Sequence, residues 1–495
     1  MIGIEHYSIL VVMIPLTAAY LMPVIGLWQR DFCYHVAVVS TFIAFCLSLA
    51  LIKHVMSYGT ISYHVGGWAP PWGIELVVDY LSAFMCITIS AISLLAVVYS
   101  KNYAEKELPK GKITLYYTLL MIMIGGMLGV VVTGDMFNLF VFTEILSIPA
   151  YALVAIAGKK ETYIASFRYF LLGAIGTSFI LLGTAYLYII TGTLNMADLS
   201  MRLPEWYGSF VVFAALAFLI VGFAIKTALF PLHIWLPDAH SIAPSPVSVL
   251  LSALVIKVGA YAIIRILFTV FQPEFVLDVL PIASALMWLG AMAVLFGSLF
   301  AISQIDIKRM LAYSSVAHIG LIMLGIGLGT EAGMTGGILH IFNHALAKAC
   351  LFFCAGAIIY KTHLRNMNDM AGMGDRMPVT SAALFLSASS MIGLPPTAGF
   401  ISKIYLCLGA LNAGAGILIL VILAGSLLTA IFYFRLINIV YFEKPKDGSR
   451  IERDEAPLSM LIPIVVLAVA CIFFGVFAGI PLEVVDEASK LLLGI

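Results

Sequence analysis

Residues 224–265 read AIKTALFPLHIWLPDAHSIAPSPVSVLLSALVIKVGAYAIIR, and the punctuation of this stretch decides the fold. An apolar run carrying Lys226 is cut by Leu229-Phe230-Pro231-Leu232-His233-Ile234-Trp235-Leu236-Pro237, and a second run starts at Ala243. Proline lacks an amide donor and clashes with the preceding turn, so the first helix must break. A comparable interruption stands at Ile392-Gly393-Leu394-Pro395-Pro396-Thr397-Ala398-Gly399-Phe400, with Lys403 just beyond it. Backbone freed at membrane depth must be satisfied by protein or water, which places such breaks beside cavities.

The composition around these breaks is that of a membrane protein. Of 495 residues, 62% are apolar or aromatic and 11% charged, against roughly 45–50% and 25% in soluble domains. A soluble enzyme is excluded, and so is a disordered chain. The 26 basic and 26 acidic residues balance without any basic tract, so nucleic-acid binding has no electrostatic footprint. A spanning helix needs about 20 apolar residues. Fourteen runs qualify: 8–28, 33–52, 80–99, 113–132, 136–157, 163–191, 210–229, 243–268, 278–301, 310–329, 333–359, 380–409, 412–441 and 458–480. The expected fold is an all-α polytopic membrane protein.

The two breaks fall five spans apart. Spans 4–8 (113–268) and 9–13 (278–441) then form two five-helix units, and an odd-numbered repeat inverts its orientation. Inverted repeats with broken helices mark transporters; the bland alternative is two unrelated proline kinks. Residues 1–112 supply three further spans, and 442–495 a loop and the last one. Segment 53–79 is too polar to cross, and its alternation followed by Gly-Gly and Pro-Pro suggests an external β-hairpin. The first run follows no basic region or small-residue cleavage site, so it reads as an uncleaved span.

Counting Lys and Arg on alternate loops gives 16 on one side, Lys308 and Arg309 among them, and 3 on the other. The richer side is cytoplasmic by the positive-inside rule, which places both termini outside a cell membrane. The seven cysteines show no spacing for zinc or iron–sulfur ligation, and Cys350 and Cys354 read as small hydrophobes in a helix. Neither a dinucleotide fingerprint nor a P-loop is present. No cofactor is expected in this chain, and any redox chemistry belongs to another subunit.

Only one acidic residue, Glu144, falls well inside a span, with Asp135 at that span's edge. An ionisable group at the bilayer centre costs about 2.5–3.5 kcal/mol and is functional by default. A lone carboxylate there takes up a proton, and a neighbouring cation favours its ionised form, so a carboxylate beside a mobile cation can load and release protons. Lys226 is the natural partner; a static pair locking two helices is the competing reading. Lys257 lies near the midplane of the eighth span and Lys403 in the twelfth. One such lysine could snorkel to the interface; three near the centre point to proton exchange. His340, His344 and Lys348 share one helical stripe of the eleventh span. Imidazole is suited to relaying protons; metal binding by His-x-x-x-His competes, without a third ligand. His318 stands alone in the tenth span as a relay member or a core histidine, and His233 and His240 flank the first break as candidates for a cytoplasmic entrance. Together these residues describe a lateral proton path rather than one substrate pocket.

TGDMFNLFVFTEIL (133–146), GTLNMADL (192–199), the stretch 224–265, HIFNHALAKACLFF (340–353) and GLPPTAGFISK (393–403) resemble the antiporter-like subunits of the complex I superfamily. They look most like the D subunit of Mrp-type Na+/H+ antiporters and its counterpart in membrane-bound energy-converting hydrogenases. The resemblance implies a fourteen-helix fold, two inverted five-helix bundles and proton translocation; the leading hypothesis is an ion-translocating subunit that moves protons, with any exchange against sodium placed elsewhere. It puts the family's essential glutamate at Glu144, its lysines at Lys226 and Lys257, its histidines at His340 and His344, and its terminal residue at Lys403. The implied partners are other hydrophobic subunits and, in redox-linked members, hydrogenase or ferredoxin-oxidising subunits. Where the Mrp D subunit commonly has an acidic residue before the Ala-Pro of the eighth helix, this chain has Ile242, which looks more like the hydrogenase branch. An independent solute transporter and a structural membrane subunit without transport are the remaining alternatives.

Overall fold

The computed structural model describes residues 3–444 and 452–495; Lys446 and Arg450, two charges of the last basic loop, lie outside the described residues. Among these, thirteen helices are long and apolar enough to cross a membrane. Two shorter ones, Pro378–Ile392 and Ala398–Asn412, are the halves of the broken twelfth span, so the described residues accommodate all fourteen expected crossings.

The seventh span, Phe210–Thr227, stops where Ala228 turns left-handed, and the chain resumes as the short helix Trp235–Ile242. The Ile225 carbonyl at the break accepts from Ala228 N at 3.1 Å and from Trp235 Nε1 at 2.9 Å, as burial of such groups demands. In the twelfth span Gly393 takes the left-handed conformation that ends the first half. Span 8, Ser245–Val270, contains π turns at Leu251–Val255 and Ile266–Val270.

Helices approach closely where side chains vanish, the usual device when lipid offers no hydrophobic drive. A Cβ on Gly222 would sit 2.7 Å from the Gly176 carbonyl oxygen, and one on Gly290 would sit 2.6 Å from that of Gly320. Spans 8, 10 and 11 are buried along nearly their whole length, whereas spans 1, 2, 13 and 14 face outward over most of theirs. Most of the candidate relay residues therefore ride on the innermost helices.

The hairpin is present: Ile61–His64 pairs antiparallel with Glu75–Val78, Ile61 opposite Val78 and His64 opposite Glu75. Glu75 fastens it to the first repeat, accepting from Asn195 Nδ2 at 2.7 Å, while Leu76 bridges Thr133. The two repeats carry matching turns. Asp135 bridges Asn195 in the first and Asp306 bridges Asn366 in the second, at the same spacing. Both aspartates cap the helix that follows, accepting from Asn138 N at 2.7 Å and Arg309 N at 2.9 Å. The sequence trace of this symmetry, Asn-Met-Ala-Asp-Leu at 195–199 against Asn-Met-Asn-Asp-Met at 366–370, is invisible to hydropathy.

Three features depart from what hydropathy and charge predict. Lys308, counted with the loops, is 3% exposed inside the start of the tenth span. The fourteenth span ends at Val476, and a separate helix, Gly479–Leu493, follows it. Asp79 and Arg265, neither singled out, form a buried ion pair between the third and eighth spans.

Candidate functional site

The fifth span, Met136–Ala155, presents Glu144, Ser147 and Tyr151 on one stripe. Facing it from the end of the seventh span, Lys226 Nζ lies 3.8 Å from Glu144 Oε1. The ammonium also donates to Ser147 Oγ at 3.0 Å and Tyr151 OH at 3.1 Å. It stands 5.7 Å from the centre of the Tyr151 ring, within cation–π range. Glu144 Oε1 is buried without a hydrogen bond of its own, although the side chain keeps 31% of its surface exposed. A cavity of about 10 Å³, lined by Ser147, Lys226, Val255 and Gly259, lies between Lys226 and the eighth span. That is room for about one water.

Lys257 follows the π turn of the eighth span, and its ammonium donates to the Ser252 carbonyl within that turn. Ser252 Oγ meets Ser315 Oγ of the tenth span at 2.9 Å. Ser315 donates to the Leu311 carbonyl at 3.1 Å, which also accepts from Lys348 Nζ at 2.7 Å. Lys348 donates further to Ser314 Oγ. Two serine hydroxyls and two backbone carbonyls, those of Ser252 and Leu311, thus tie the eighth-span lysine to the eleventh-span lysine. The spatial order departs from the chain order, because Lys348 joins Lys257 instead of following the histidines.

His318, His340 and His344 form a stack, with ring centroids 4.9–5.9 Å apart and planes within 15°. His318 Nδ1 and His340 Nε2 are 2.9 Å apart, and His340 Nδ1 reaches Ser402 Oγ at 2.9 Å. This chain crosses from the tenth span through the eleventh to the twelfth. His318 is therefore part of the cluster and not an isolated core residue. Parallel rings aim their nitrogens along different lines, and among the described residues no three of His, Cys, Asp and Glu converge as metal ligands. His344 has no partner on either ring nitrogen; buried polar atoms are normally satisfied, by water where protein does not serve. Lys403, next to Ser402, donates to the carbonyls of Met391 and Ile392, which the second break frees, at 3.0 and 2.8 Å, and to Ser426 Oγ at 2.9 Å. A cavity of about 340 Å³ over Lys403 and Ser426 opens sideways between the twelfth and thirteenth spans.

The structure thus gathers Glu144 with Lys226, Lys257 with Lys348, and His318 with His340 and, through Ser402, the helix of Lys403. No hydrogen bond joins the first group to the second or the second to the third, among the described residues. His233 and His240 do not line the polar vestibule on the basic-loop face; Lys308 and Arg365 do. The missed contributors are serines and a tyrosine: Ser147, Tyr151, Ser252, Ser314, Ser315, Ser402 and Ser426. The i, i+3, i+7 spacing of Glu144, Ser147 and Tyr151 is the legible signal for the first two.

Residues 133–429 match a family described as NADH:quinone oxidoreductase/Mrp antiporter, TM. The chain is 45% identical over 426 residues to NADH-quinone oxidoreductase subunit N of Desulforudis audaxviator, covering 84% of each chain. It is 29% identical over 493 residues to the Na(+)/H(+) antiporter D subunit of Bacillus subtilis, covering 99% of this chain and 97% of the relative. Among solved structures, a chain of the archaeal membrane-bound sulfane sulfur reductase superposes with a TM-score of 0.91 at 34% identity, over 98% of this chain and 97% of that one. The chain belongs to the NADH:quinone oxidoreductase/Mrp antiporter family of transmembrane proteins.

Proposed function

We propose that this chain is a proton-translocating subunit of a multisubunit membrane complex, and that protons move through Glu144, Lys226, Lys257, Lys348, His344, His318, His340 and Lys403. The observation that carries the reading is the Glu144–Lys226 pair, a carboxylate and an ammonium 3.8 Å apart at membrane depth. A carboxylate held by a cation stays ionised; when the cation swings away, apolar surroundings drive it to take a proton. Lys226 has two further partners beside the carboxylate, the hydroxyls of Ser147 and Tyr151. The one-water cavity beside it offers a bridge toward the eighth span. From there the serine chain and the histidine stack offer donors and acceptors in both repeats.

Two observations favour companion subunits on opposite flanks. Glu144 is partly exposed on a helix with outward-facing Phe137 and Ile148, and Lys403 lies at the floor of a sideways cavity. Charged groups near lipid are costly unless covered, so neighbouring membrane subunits extend the path at either end. The higher identity to an oxidoreductase subunit than to an antiporter subunit, together with Ile242 before Ala243-Pro244, favours a redox-linked assembly, with any sodium exchange carried by another subunit. The basic loops then face the cytoplasm of a cell membrane and both termini face outward.

The test is Glu144→Gln in the intact complex, with proton movement into inverted vesicles followed by a pH-sensitive dye. Loss of proton movement in an assembled complex supports the relay. Loss of assembly with proton movement intact in the fraction that assembles would mean that the pair only locks two helices.

A further inference from the structure

The face carrying the basic loops holds a polar vestibule of about 460 Å³, lined among others by Lys159, Glu161, Ser245, Lys308, His363 and Arg365. Its floor includes Ile242, Ala243 and Pro244, the turn joining the short helix Trp235–Ile242 to the eighth span. A helix end leaves carbonyls without partners, and cations are the favoured caps. Here there are two. Lys308 Nζ donates to the Ala243 carbonyl at 2.6 Å, and Arg365 Nη2 donates to the Ser241 carbonyl at 2.5 Å. Asp306 anchors Arg365 at 2.9 Å. Ser248 Oγ fastens the same turn, donating to the His240 and Ala243 carbonyls at 2.8 and 3.2 Å.

His240 belongs to that short helix. It is fully buried, and neither ring nitrogen has a hydrogen-bond partner. An imidazole carries a donor or acceptor at each nitrogen, and leaving both unmet in a dry interior is costly. The ring edge-packs against Trp235 and against Phe352 of the eleventh span, 6.1 Å between centroids in each case, and the cations whose charge it feels are Lys257, Lys308 and Lys348. The turn that Lys308 and Arg365 hold follows directly on the helix of His240 and lines the vestibule.

We propose that Lys308 is the gate of this chain's proton inlet. With its ammonium on the Ala243 carbonyl the turn is closed; when that bond is released, vestibule water solvates the freed carbonyl and reaches His240, which becomes the first internal proton acceptor. The proposal rests on the reading of the chain as a proton-translocating subunit, and adds where protons enter and which residue controls the opening.

The test is chemical accessibility at position 240. His240→Cys is introduced into the intact complex, a charged thiol reagent is applied from the vestibule side, and modification of the peptide holding residue 240 is timed by mass spectrometry. With Lys308→Met the rate should rise about tenfold or more, as expected when a capped buried carbonyl loses its donor; with Lys308→Arg, which keeps a cation on the carbonyl, it should stay near that of the Lys308 protein. An unchanged rate with Lys308→Met in an assembled complex overturns the gate, and so does a rate with Lys308→Arg as high as with Lys308→Met. If Lys308→Met fails to assemble, Arg365→Gln, which strips the other cation from the same turn, is judged by the same rise or its absence. Labelling needs no transport, so the gate and the relay fail separately: unchanged labelling overturns the gate even where Glu144→Gln still stops proton movement.

Discussion

Lys226 Nζ lies 3.8 Å from Glu144 Oε1 and is held by two hydroxyls of the carboxylate's own helix. The pair is asymmetric, because the ammonium has alternative partners and the buried carboxylate oxygen has none. Replacing Lys226 by Met is expected to leave Glu144 without the cation on which its loading and release depend. Proton translocation should fall by about tenfold or more, the loss of one charge-assisted contact, while the complex assembles. Lys226→Arg should keep part of the activity. Dye-monitored proton uptake in vesicles checks both.

The histidine chain makes a graded expectation. His340 connects His318 and Ser402 at 2.9 Å on either side. His340→Ala removes both contacts and should abolish translocation. Ser402→Ala removes one hydrogen-bond partner and should slow translocation by a few fold, about 1 kcal/mol of lost hydrogen bonding. Equal effects of the two would argue against passage through this chain.

Asp79 and Arg265 are expected to matter for stability. The pair is buried and wrapped by Ser82 and Tyr261, with Tyr261 OH donating to the Val131 carbonyl at 2.7 Å. Removing one partner of a buried pair costs about 3–5 kcal/mol, and replacing both by apolar residues costs much less. Asp79→Asn or Arg265→Met alone should therefore lower the thermal midpoint of the solubilised complex clearly more than Asp79→Leu with Arg265→Met together.

At the basic-loop face, Asp454 joins Lys361 at 2.5 Å and Arg376 at 3.6 Å. The Lys361 hydrogen bond, aided by both positive charges, holds the Asp454 carboxyl below its ordinary range. A depressed carboxyl stabilises the folded loop above the unfolded value, about pH 4, and loses that contribution as pH falls through the folded value. Protease cleavage after Arg453, next to the pair, should be constant near neutrality and rise only below about pH 4. Asp454→Asn should remove the pH step and cleave faster at pH 7.

Much of this architecture is legible in the amino-acid order. Hydropathy delimits the spans because lipid allows few alternatives, and the prolines at 231 and 395–396 mark the breaks, whereas Pro15, Pro23, Pro149 and Pro463 lie inside continuous helices. Lys308 is misplaced by such a reading because a lysine beside Arg309 at a helix start looks like a loop charge; only the packed turn at Ala243 makes it interior. The helix Gly479–Leu493 escapes notice because it is short and carries charges along one side. The site's acids, lysines and histidines stand out against an apolar background. Its serines do not, because serine is as common in helix contacts as in relays, and which of them meet is decided by how the spans pack.

The central claim is that Glu144 changes its protonation state as the complex works. Infrared difference spectroscopy of the complex, recorded between resting and energised states, reads this directly. The expected result is a carboxyl C=O band that appears or vanishes on energisation and is missing from the Glu144→Gln protein. A wild-type complex that moves protons while showing no such band would contradict the account.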